Sequence, residues 1–370
     1  MEIGDTLRRQ RLKREFQEAF DALRAKHGFP GATAAYSFRD HTQDFAAGFI
    51  DLEGRTPMPK NARFLSASVG KMHVGALGYS LHRQGKLDLD AKVSALLGDK
   101  AWFPRLPNSS AITLRHLLSH SAGLVDHVAL PSFLEAAIPK MADPDFYYRP
   151  EELIAFILDR EPLFPVGEGF AYTDTGFIVA GLALEKAGGA SYYKLLRNTL
   201  LKPMRLTDTT PADRRRIDRL VSGYLPEANP LGLARSTMVD GKLIRHPLTE
   251  WTGGGLADTA QSLVKWSQGL FASDFVAESY TDAVLNYAVN TGAGEEKYGL
   301  GVAVRRTKLG ARFCHGGWMP GYRADLSYYP DFGLSVSMLV NTDEEALMSN
   351  NAIHERSAEL AELVVEHCLK

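Results

Sequence analysis

The residues best suited to chemistry are a serine and a lysine at the start of an apolar stretch, in FLSASVGKMHVG (residues 64–75). Residues three apart on a helix lie on one face, so Ser68 and Lys71 can meet there. A serine hydroxyl needs a base to become a nucleophile, and a lysine can act as that base when burial and nearby positive charge lower its pKa. Serine is also a common helix N-cap, so the pair alone fits either an activated nucleophile or a capped helix start.

Two further segments contain residues that could complete such a site. FAYTDTGF (170–177) sets Tyr172 and Asp174 two apart in an extended segment before an apolar helix, so both side chains can face one cleft. FCHGGWMPGY (313–322) places His315, Gly316 and Gly317 at the end of a strand. Glycines at that place leave room for a substrate to lie along the strand edge.

The three motifs, in this order along the chain, resemble those of the serine β-lactamase and penicillin-binding protein family. The resemblance is to its branch of class C β-lactamases, DD-peptidases and family VIII esterases, whose motifs are Ser-x-x-Lys, Tyr-x-Asn and Lys-Thr-Gly or His-x-Gly. Residues 85–97, 112–124 and 252–266 are also similar to recurrent segments of that family, so the resemblance covers nearly the whole chain. It implies a hydrolase that works through an acyl-enzyme.

The resemblance implies a role for each motif residue. Ser68 is the acylated nucleophile, and Lys71 and Tyr172 form a coupled pair that transfers its proton. Strand residues 315–317 bind the substrate, and the backbone N–H groups of Ser68 and Trp318 form the oxyanion hole. Water completes turnover by releasing the acyl group.

Two positions depart from the family pattern. Asp174 stands where the family has Asn, and it fits two interpretations: the N-cap of a helix beginning near Thr175, or a group that faces the substrate. His315 stands where β-lactamases have Lys, which weakens the positive charge available to a substrate carboxylate at neutral pH. This second departure favours the peptidase and esterase members of the family.

These residues predict a serine hydrolase that acts on small esters or on D-amino-acid peptides and amides, as an esterase, a DD-carboxypeptidase or a D-aminopeptidase does. Two alternatives remain open. One is a class C-like β-lactamase, and the other is a penicillin-binding sensor or scaffold that is acylated and does not turn over. The presence of Ser68, Lys71 and Tyr172 together favours turnover.

Hydrophobic periodicity predicts an α+β fold whose antiparallel sheet is built from both chain ends and flanked by terminal helices. Apolar residues recur at helical spacing from Leu7 to Leu23, ahead of Gly28, which predicts a first helix that packs on the sheet. A second terminal helix is predicted at about residues 345–368. Alternating segments predict strands at 31–40, 43–51, 298–306, 311–317, 324–331 and 333–341.

The chain between the two groups of strands is mainly helical in pattern. We therefore predict a single catalytic unit over residues 1–370, with a sheet subdomain from 1–60 and 288–370 and an inserted helical subdomain from 61–287. The substrate cleft is expected between the two subdomains. Residues 222–250 are predicted to form a looped insertion or a hairpin.

Composition narrows the range of partners. The formal net charge of −2 comes from 42 basic and 44 acidic residues without long blocks of one sign, which argues against a nucleic-acid partner and favours a small-molecule or peptide substrate. Two cysteines, Cys314 and Cys368, are too few for a disulfide framework or a zinc site. His116 and His120 lie four apart, but Leu117 stands where a zinc protease needs Glu, so both are interpreted as structural. No metal or cofactor is expected, and oligomeric state stays open.

The chain shows neither a signal sequence nor a membrane span. Its first twenty residues carry charges throughout, and no segment has the roughly 18 uninterrupted apolar residues that a transmembrane helix requires. We expect a cytoplasmic protein if the chain is complete, and a periplasmic or secreted one if it is a trimmed mature form.

Overall fold

The computed structural model describes residues 2–38, 41–229, 232–273, 275–276, 280–345 and 348–369, without the side chains of 2–5, 350, 368 and 369. Of the predicted features, positions 39–40, 230–231 and 346–347 and the side chain of Cys368 lie outside this part. The helices of the described part are α1 Glu2–His27, α2 Lys71–Arg83, α3 Ser94–Leu97, α4 Leu114–Leu118, α5 Pro131–Lys140, α6 Pro150–Ile154, α7 Asp174–Gly188, α8 Tyr192–Leu196, α9 Trp251–Gly254, α10 Ala260–Phe271, α11 Tyr280–Asn286 and α12 Asn350–Leu369.

The strands fall mainly at the two ends of the chain, as predicted. They are β1 Gly31–Phe38, β2 His41–Gly48, β3 Phe64–Leu65, β4 Thr210–Pro211, β5 Met238–Val239, β6 Lys242–Leu243, β7 Leu256–Asp258, β8 Val289–Asn290, β9 Lys297–Gly299, β10 Val302–Thr307, β11 Gly310–Met319, β12 Tyr322–Tyr329 and β13 Leu334–Val340.

One antiparallel sheet joins the two chain ends. Its strand order is β2-β1-β13-β12-β11-β10-β9-β8. The N-terminal strand β1 pairs with the last strand β13, from Ala32 opposite Val340 to Phe38 opposite Leu334. The predicted α+β architecture, with a sheet closed by both ends of the chain, is therefore confirmed.

Both faces of this sheet are covered by helices. On the face covered by α1 and α12, Phe16 and Phe20 of α1 and Val336 and Met338 of β13 form part of one apolar core. On the opposite face α10 packs against the sheet, and Ser337 of β13 donates a hydrogen bond to the Ala260 carbonyl at 2.7 Å. The polar face of β13 is consequently buried as deeply as its apolar face, because α10 supplies acceptors for its hydroxyl groups.

Two features differ from the predictions. The predicted strand 298–306 is two strands, because Leu300 (φ 49°) and Gly301 (φ 81°) turn the chain between them. This turn contacts helix α2 so closely that a Cβ on Gly75 would lie 1.8 Å from the Leu300 carbonyl oxygen. Leu7 is 61% exposed, so the buried face of α1 begins later than its apolar pattern suggested.

The remaining segments follow the predicted outline. The C-terminal helix begins at Asn350, five residues later than expected. Residues 222–250 are largely irregular and contain a small hairpin of β5 and β6. Cys314 is fully buried within the sheet. Within the described part of the chain, no helix combines the length and apolar character needed to cross a bilayer.

Candidate active site

Ser68 lies in a tight 3₁₀ turn, Ala67–Gly70, directly before helix α2. The residue that precedes α2 is Gly70, which has no side chain to cap the helix, and the Ser68 hydroxyl instead lies 3.0 Å from Lys71 Nζ. The structure thus brings the predicted pair together. The alternative interpretation of Ser68 as a helix cap is wrong.

Backbone contacts hold this turn in place from two sides. Ala67 has a φ of 48°, a left-handed conformation that costs a non-glycine residue about 1 kcal/mol or more. A Cβ on Gly254 would lie 2.2 Å from the Ala67 carbonyl oxygen, and one on Gly317 would lie 2.1 Å from that of Ser66. The turn is therefore fixed between α9 and β11, and only glycine fits at either contact.

Lys71 is fully buried, and its amino group has three acceptors. It donates to Ser68 Oγ at 3.0 Å, to the Gly253 carbonyl oxygen at 2.5 Å and to Asp174 Oδ1. An ammonium group has three N–H bonds, so each of them has a partner. The Lys71 amino group is therefore held in place beside the Ser68 hydroxyl.

Tyr172 lies beside the serine and the lysine. Its ring is 4.9 Å from Lys71 Nζ and packs on the His120 imidazole at a centroid distance of 4.2 Å. Desolvation and the Asp174 carboxylate raise the pKa of Tyr172 well above its usual value, and a hydrogen bond with Ser68 offsets this only in part. Tyr172 is therefore a neutral phenol at neutral pH.

Asp174 faces the lysine and is not the cap of its helix. The N-cap of α7 is Thr173, whose hydroxyl accepts the N–H of Gly176. The Asp174 carboxylate contacts Lys71 Nζ and is 23% exposed. The capping interpretation of Asp174 is therefore wrong, and the cleft-facing one agrees with the structure.

Two further carboxylates, Asp126 and Glu250, lie near this ion pair, and the sequence interpretation missed both. Asp126 Oδ1 accepts the backbone N–H of Asp174 at 3.1 Å. Burial and the Asp174 charge raise the pKa of Asp126 to about 6 and that of Glu250 to about 7. Each residue lies beside a segment that resembled the family, Asp126 just after 112–124 and Glu250 just before 252–266, and this was the available signal.

His315 is buried in β11 and uncharged. Its Nδ1 lies 2.6 Å from the Gly316 carbonyl oxygen, which can only accept, so Nδ1 carries the proton and Nε2 accepts from the Tyr298 hydroxyl at 2.8 Å. Burial and the Lys71 charge lower the pKa of His315 to about 3. The side chain is therefore neutral throughout the physiological range, and its partner Tyr298 was not identified from the sequence.

The end of β11 has one free edge. Strand β10 pairs with β11 no further than Ala303 opposite Cys314, so in the described structure residues 315–319 pair with β12 alone. The two glycines of the motif also allow close contacts within the protein itself. A Cβ on Gly316 would lie 2.6 Å from the His354 ring, and Gly317 adjoins the serine turn, so they admit other parts of the protein. Trp318, next in the strand, is 45% exposed.

The two histidines that were interpreted as structural have structural contacts. His116 Nδ1 lies 2.8 Å from the Thr113 hydroxyl at the start of α4. His120 is buried, and its Nδ1 accepts the backbone N–H of Thr173 at 3.1 Å. His120 therefore supports the segment that carries Tyr172 and Asp174.

A large cavity opens beside the ion pair. It has a volume of about 760 Å³, and its lining includes Glu250, Trp318 and the two residues that contact Lys71 Nζ, Asp174 and Gly253. Most other lining side chains are apolar, and many come from α5 and the segment after it: Phe133, Leu134, Ala137, Met141, Phe146 and Tyr148. The site thus combines a serine–lysine pair, an excess of carboxylates and an apolar wall, the arrangement of an acyl-transfer enzyme with a binding pocket.

Comparison with known proteins identifies the family. The model of the Beta-lactamase family matches residues 16–359, and the chain belongs to that family. It is a serine hydrolase of this family.

Among its relatives, a penicillin-binding protein of Bacillus subtilis (strain 168) is 25% identical over 91% of this chain and 73% of its own length. Teichoic acid D-alanine hydrolase of Staphylococcus aureus is 23% identical over 57% of this chain and 49% of its own length. Among solved structures, D-amino acid amidase of Ochrobactrum anthropi SV3 has a TM-score of 0.78 at 21% identity, covering 95% of this chain and 99% of its own. A D-stereospecific amidohydrolase of Streptomyces sp. has a TM-score of 0.76 at 23% identity, covering 90% of this chain and 96% of its own.

Proposed function

We propose that Ser68 is acylated by the substrate, that Lys71 and Tyr172 transfer its proton, and that the backbone N–H groups of Ser68 and Trp318 bind the oxyanion. The observation that carries this proposal is the 3.0 Å contact between Lys71 Nζ and Ser68 Oγ. The free edge of β11 next to Trp318 supports the position of the oxyanion hole. Substrate-binding roles for strand residues 315–317 follow from the same edge, through backbone groups.

Lys71 acts as a base only as a neutral amine, and the Asp174 carboxylate in contact with its Nζ is one acceptor for the proton that it must lose, solvent being another. Moving one proton from Lys71 Nζ to Asp174 Oδ1, which are in contact, leaves a neutral amine and a neutral carboxylic acid. The amine then takes the Ser68 proton while Oγ attacks the acyl carbon. Breakdown of the tetrahedral intermediate returns that proton to the leaving group, directly or through the neutral Tyr172 hydroxyl. Water repeats the sequence to release the acid and restore Ser68.

We propose D-amino-acid amides, peptides and small esters as substrates, with weak or no turnover of β-lactams. The names of D-amino acid amidase and teichoic acid D-alanine hydrolase support this class. So does the neutral His315, which offers no cation to the carboxylate of a penicillin. Asp174 works in the same direction, since an ionised carboxylate cannot donate to the carbonyl of an acylamino side chain.

A labelling experiment tests the nucleophile. A fluorophosphonate probe should attach once, on the peptide that contains Ser68, and Ser68→Ala should abolish both labelling and ester hydrolysis. Labelling that persists in Ser68→Ala would overturn the assignment.

A substrate panel tests the class. We expect p-nitrophenyl esters and D-amino-acid amides to exceed nitrocefin in kcat/KM, with D-alanyl-D-alanine peptides included for comparison. Nitrocefin as the best substrate would identify a β-lactamase. A burst followed by a steady-state rate near zero on every substrate would identify the acylated sensor.

A further inference from the structure

We propose that Glu250, together with Asp174, binds the free amino group of the substrate, and that the aromatic end of the cavity binds a large apolar substrate side chain. The enzyme would then select aminoacyl compounds with an unblocked amino group. This inference rests on the proposed serine hydrolase function and specifies its substrate.

The charges around the nucleophile leave room for one more cation. Asp126, Asp174 and Glu250 interact electrostatically with one another and with a single ammonium group, that of Lys71. The nearby histidines do not balance this charge, since burial lowers the pKa of His127 to about 4 and that of His315 to about 3. A cationic ligand bound here would offset the excess negative charge.

Glu250 is the carboxylate that is free to bind such a ligand. In the described structure its side chain has no hydrogen bond or ion pair, and it lines the cavity next to Asp174. Two other carboxylates at the cavity wall already have partners, whereas a third, Asp343, has one oxygen without a hydrogen bond among the described residues. Glu345 pairs with Arg323 at 3.2 Å, and Asp143 accepts the Asp145 N–H at 2.9 Å.

The Tyr148 hydroxyl is a second unpartnered polar group at this cavity. Tyr148 lines the wall and is only 6% exposed, and its hydroxyl has no hydrogen-bond partner among the described residues. Its backbone N–H is bonded to Thr249, the neighbour of Glu250, at 3.2 Å. The hydroxyl and the carboxylate thus belong to adjoining parts of one wall, and both lack the partner that a polar ligand would supply.

The rest of this wall is suited to an apolar group. The rings of Phe133 and Phe146, which also line the cavity, lie 5.7 and 4.9 Å from that of Tyr148, centroid to centroid. A D-alanyl substrate has only a methyl group to place in a cavity of about 760 Å³. A phenylalanyl or longer aliphatic side chain would fill more of this space and exclude water from the apolar surface.

Among the described residues, no cation that lines the cavity forms an ion pair with Glu250. Lys140 Nζ lies 4.5 Å from the Tyr148 ring centroid and 5.0 Å from that of Phe146. Arg245 also lines the cavity and, in the part of the chain that is described, forms no ion pair with Glu250. The carboxylate therefore remains available to a ligand.

The decisive experiment compares matched substrates with Glu250→Gln, which keeps the shape of the side chain and removes its charge. For the wild-type enzyme we expect kcat/KM on D-phenylalanine p-nitroanilide to exceed that on the N-acetyl derivative at least about tenfold. Glu250→Gln should remove most of this preference, mainly by raising KM for the free amine. Any change in the hydrolysis of p-nitrophenyl butyrate, which has no amine, should be at least about fivefold smaller than the change for the free amine, since loss of a charge partner mainly affects ligands that use it.

Two controls complete the test. Glu135→Gln removes an exposed carboxylate from the same wall helix, α5, and should change none of these values. Leu134→Trp, at a partly exposed residue that lines the cavity, should lower kcat/KM for D-phenylalanine amide and leave D-alanine amide unchanged.

The possible failures are distinct. Equal rates on free and N-acetylated anilides, or an unchanged preference in a folded Glu250→Gln, would overturn the amine site while Ser68 labelling still stood. Equal effects of Leu134→Trp on both amides would overturn the side-chain pocket. Loss of p-nitrophenyl butyrate hydrolysis in Ser68→Ala belongs to the proposed function alone.

Discussion

Two clusters of buried charge lie on either side of β11, and they are balanced differently. Behind the sheet, Asp325 is bonded to Arg312 at 2.7 Å, to Ser327 at 2.8 Å and to His354 at 2.5 Å. In the cleft, Lys71 is surrounded by three carboxylates, of which Asp174 alone makes direct contact with its amino group. The first cluster satisfies each of its members, whereas the second has more negative charge than its cation can balance.

The pKa values of Asp325 and Glu250 differ in the direction expected from this difference in charge balance. Burial alone would raise the pKa of Asp325, but Arg312 and His354 hold it well below its usual value. Burial raises the pKa of Glu250 to about 7, and Asp174 contributes to this increase. The balanced cluster around Asp325 stabilises the fold. The cluster around Lys71 has excess negative charge, which lowers the stability of the folded protein until a cationic ligand binds.

The largest contrast is expected when the cation of each cluster is removed. Arg312→Met leaves Asp325 buried without compensation and should lower the free energy of unfolding by about 3–5 kcal/mol. Lys71→Met removes the partner of Ser68 and should lower ester hydrolysis at least about 10³-fold. Lys71→Met should stay folded, because its carboxylate neighbours can take up protons. Thermal unfolding and p-nitrophenyl ester kinetics measure both effects, and equal destabilisation by the two variants would contradict the contrast.

Asp174→Asn should change specificity about tenfold, because the amide can donate to an acylamino carbonyl where the carboxylate cannot. We expect faster acylation by acylamino β-lactams and an acidic limb of the pH–rate profile at lower pH. The stability of Asp174→Asn should change little, since the cap of α7 is Thr173. The control variant Thr173→Ala, which removes the cap, should lose about 1 kcal/mol of unfolding free energy. A destabilised Asp174→Asn with an unchanged pH profile would restore the capping interpretation.

Glu250→Gln should stabilise the protein above neutral pH. The pKa of Glu250 is raised to about 7 in the folded state, so its ionisation opposes folding increasingly as the pH rises from 4.5 to about 7. We expect the variant to gain about 3 kcal/mol at pH 8 and nothing below pH of about 4.5. Asp325→Asn should instead lose stability at pH 8. Urea denaturation of Glu250→Gln and Asp325→Asn, at pH 8 and below pH of about 4.5, measures these changes. A loss of stability for both variants at pH 8 would contradict the difference between the clusters.

The smallest effect on activity is expected at Tyr298, which donates to His315 between the two clusters. Tyr298→Phe leaves Nε2 of His315 without a donor, at a cost of about 1–3 kcal/mol in unfolding free energy. Since His315 is neutral in either case, kcat/KM for esters should fall only about twofold to fivefold. A much larger loss of activity would indicate that Tyr298 takes part in the chemistry.

The parts of this molecule that could be predicted from sequence are those with local signals. Alternation between residues 311 and 341 predicted strands because one face of each is apolar, and spacing placed Ser68 next to Lys71. The division of the strand at Leu300 depends on the close approach of Gly75, which belongs to a distant helix. Local periodicity contains no information about such a contact.

The site was predicted in part for the same reason. Ser68, Lys71, Tyr172 and Asp174 lie in short motifs, but Glu250 has no motif of its own and gains a role only where separate segments converge. The neutral state of His315 also depends on the fold, because burial and the Lys71 charge set its pKa. Electrostatic environment is a property of the assembled structure, and a residue type alone does not determine it.

The close backbone packing around the turn that carries Ser68 has a consequence for recombination between related sequences. Residues 66–70, 253–255 and 315–318 come from three distant parts of the chain, yet their backbones touch wherever Gly254 and Gly317 lack a Cβ. A chimera that exchanges one of these segments would need matching geometry from the other two. Crossover points for a shuffled library are therefore best placed so that all three segments come from the same parent, with diversity directed to the α5 wall of the cavity.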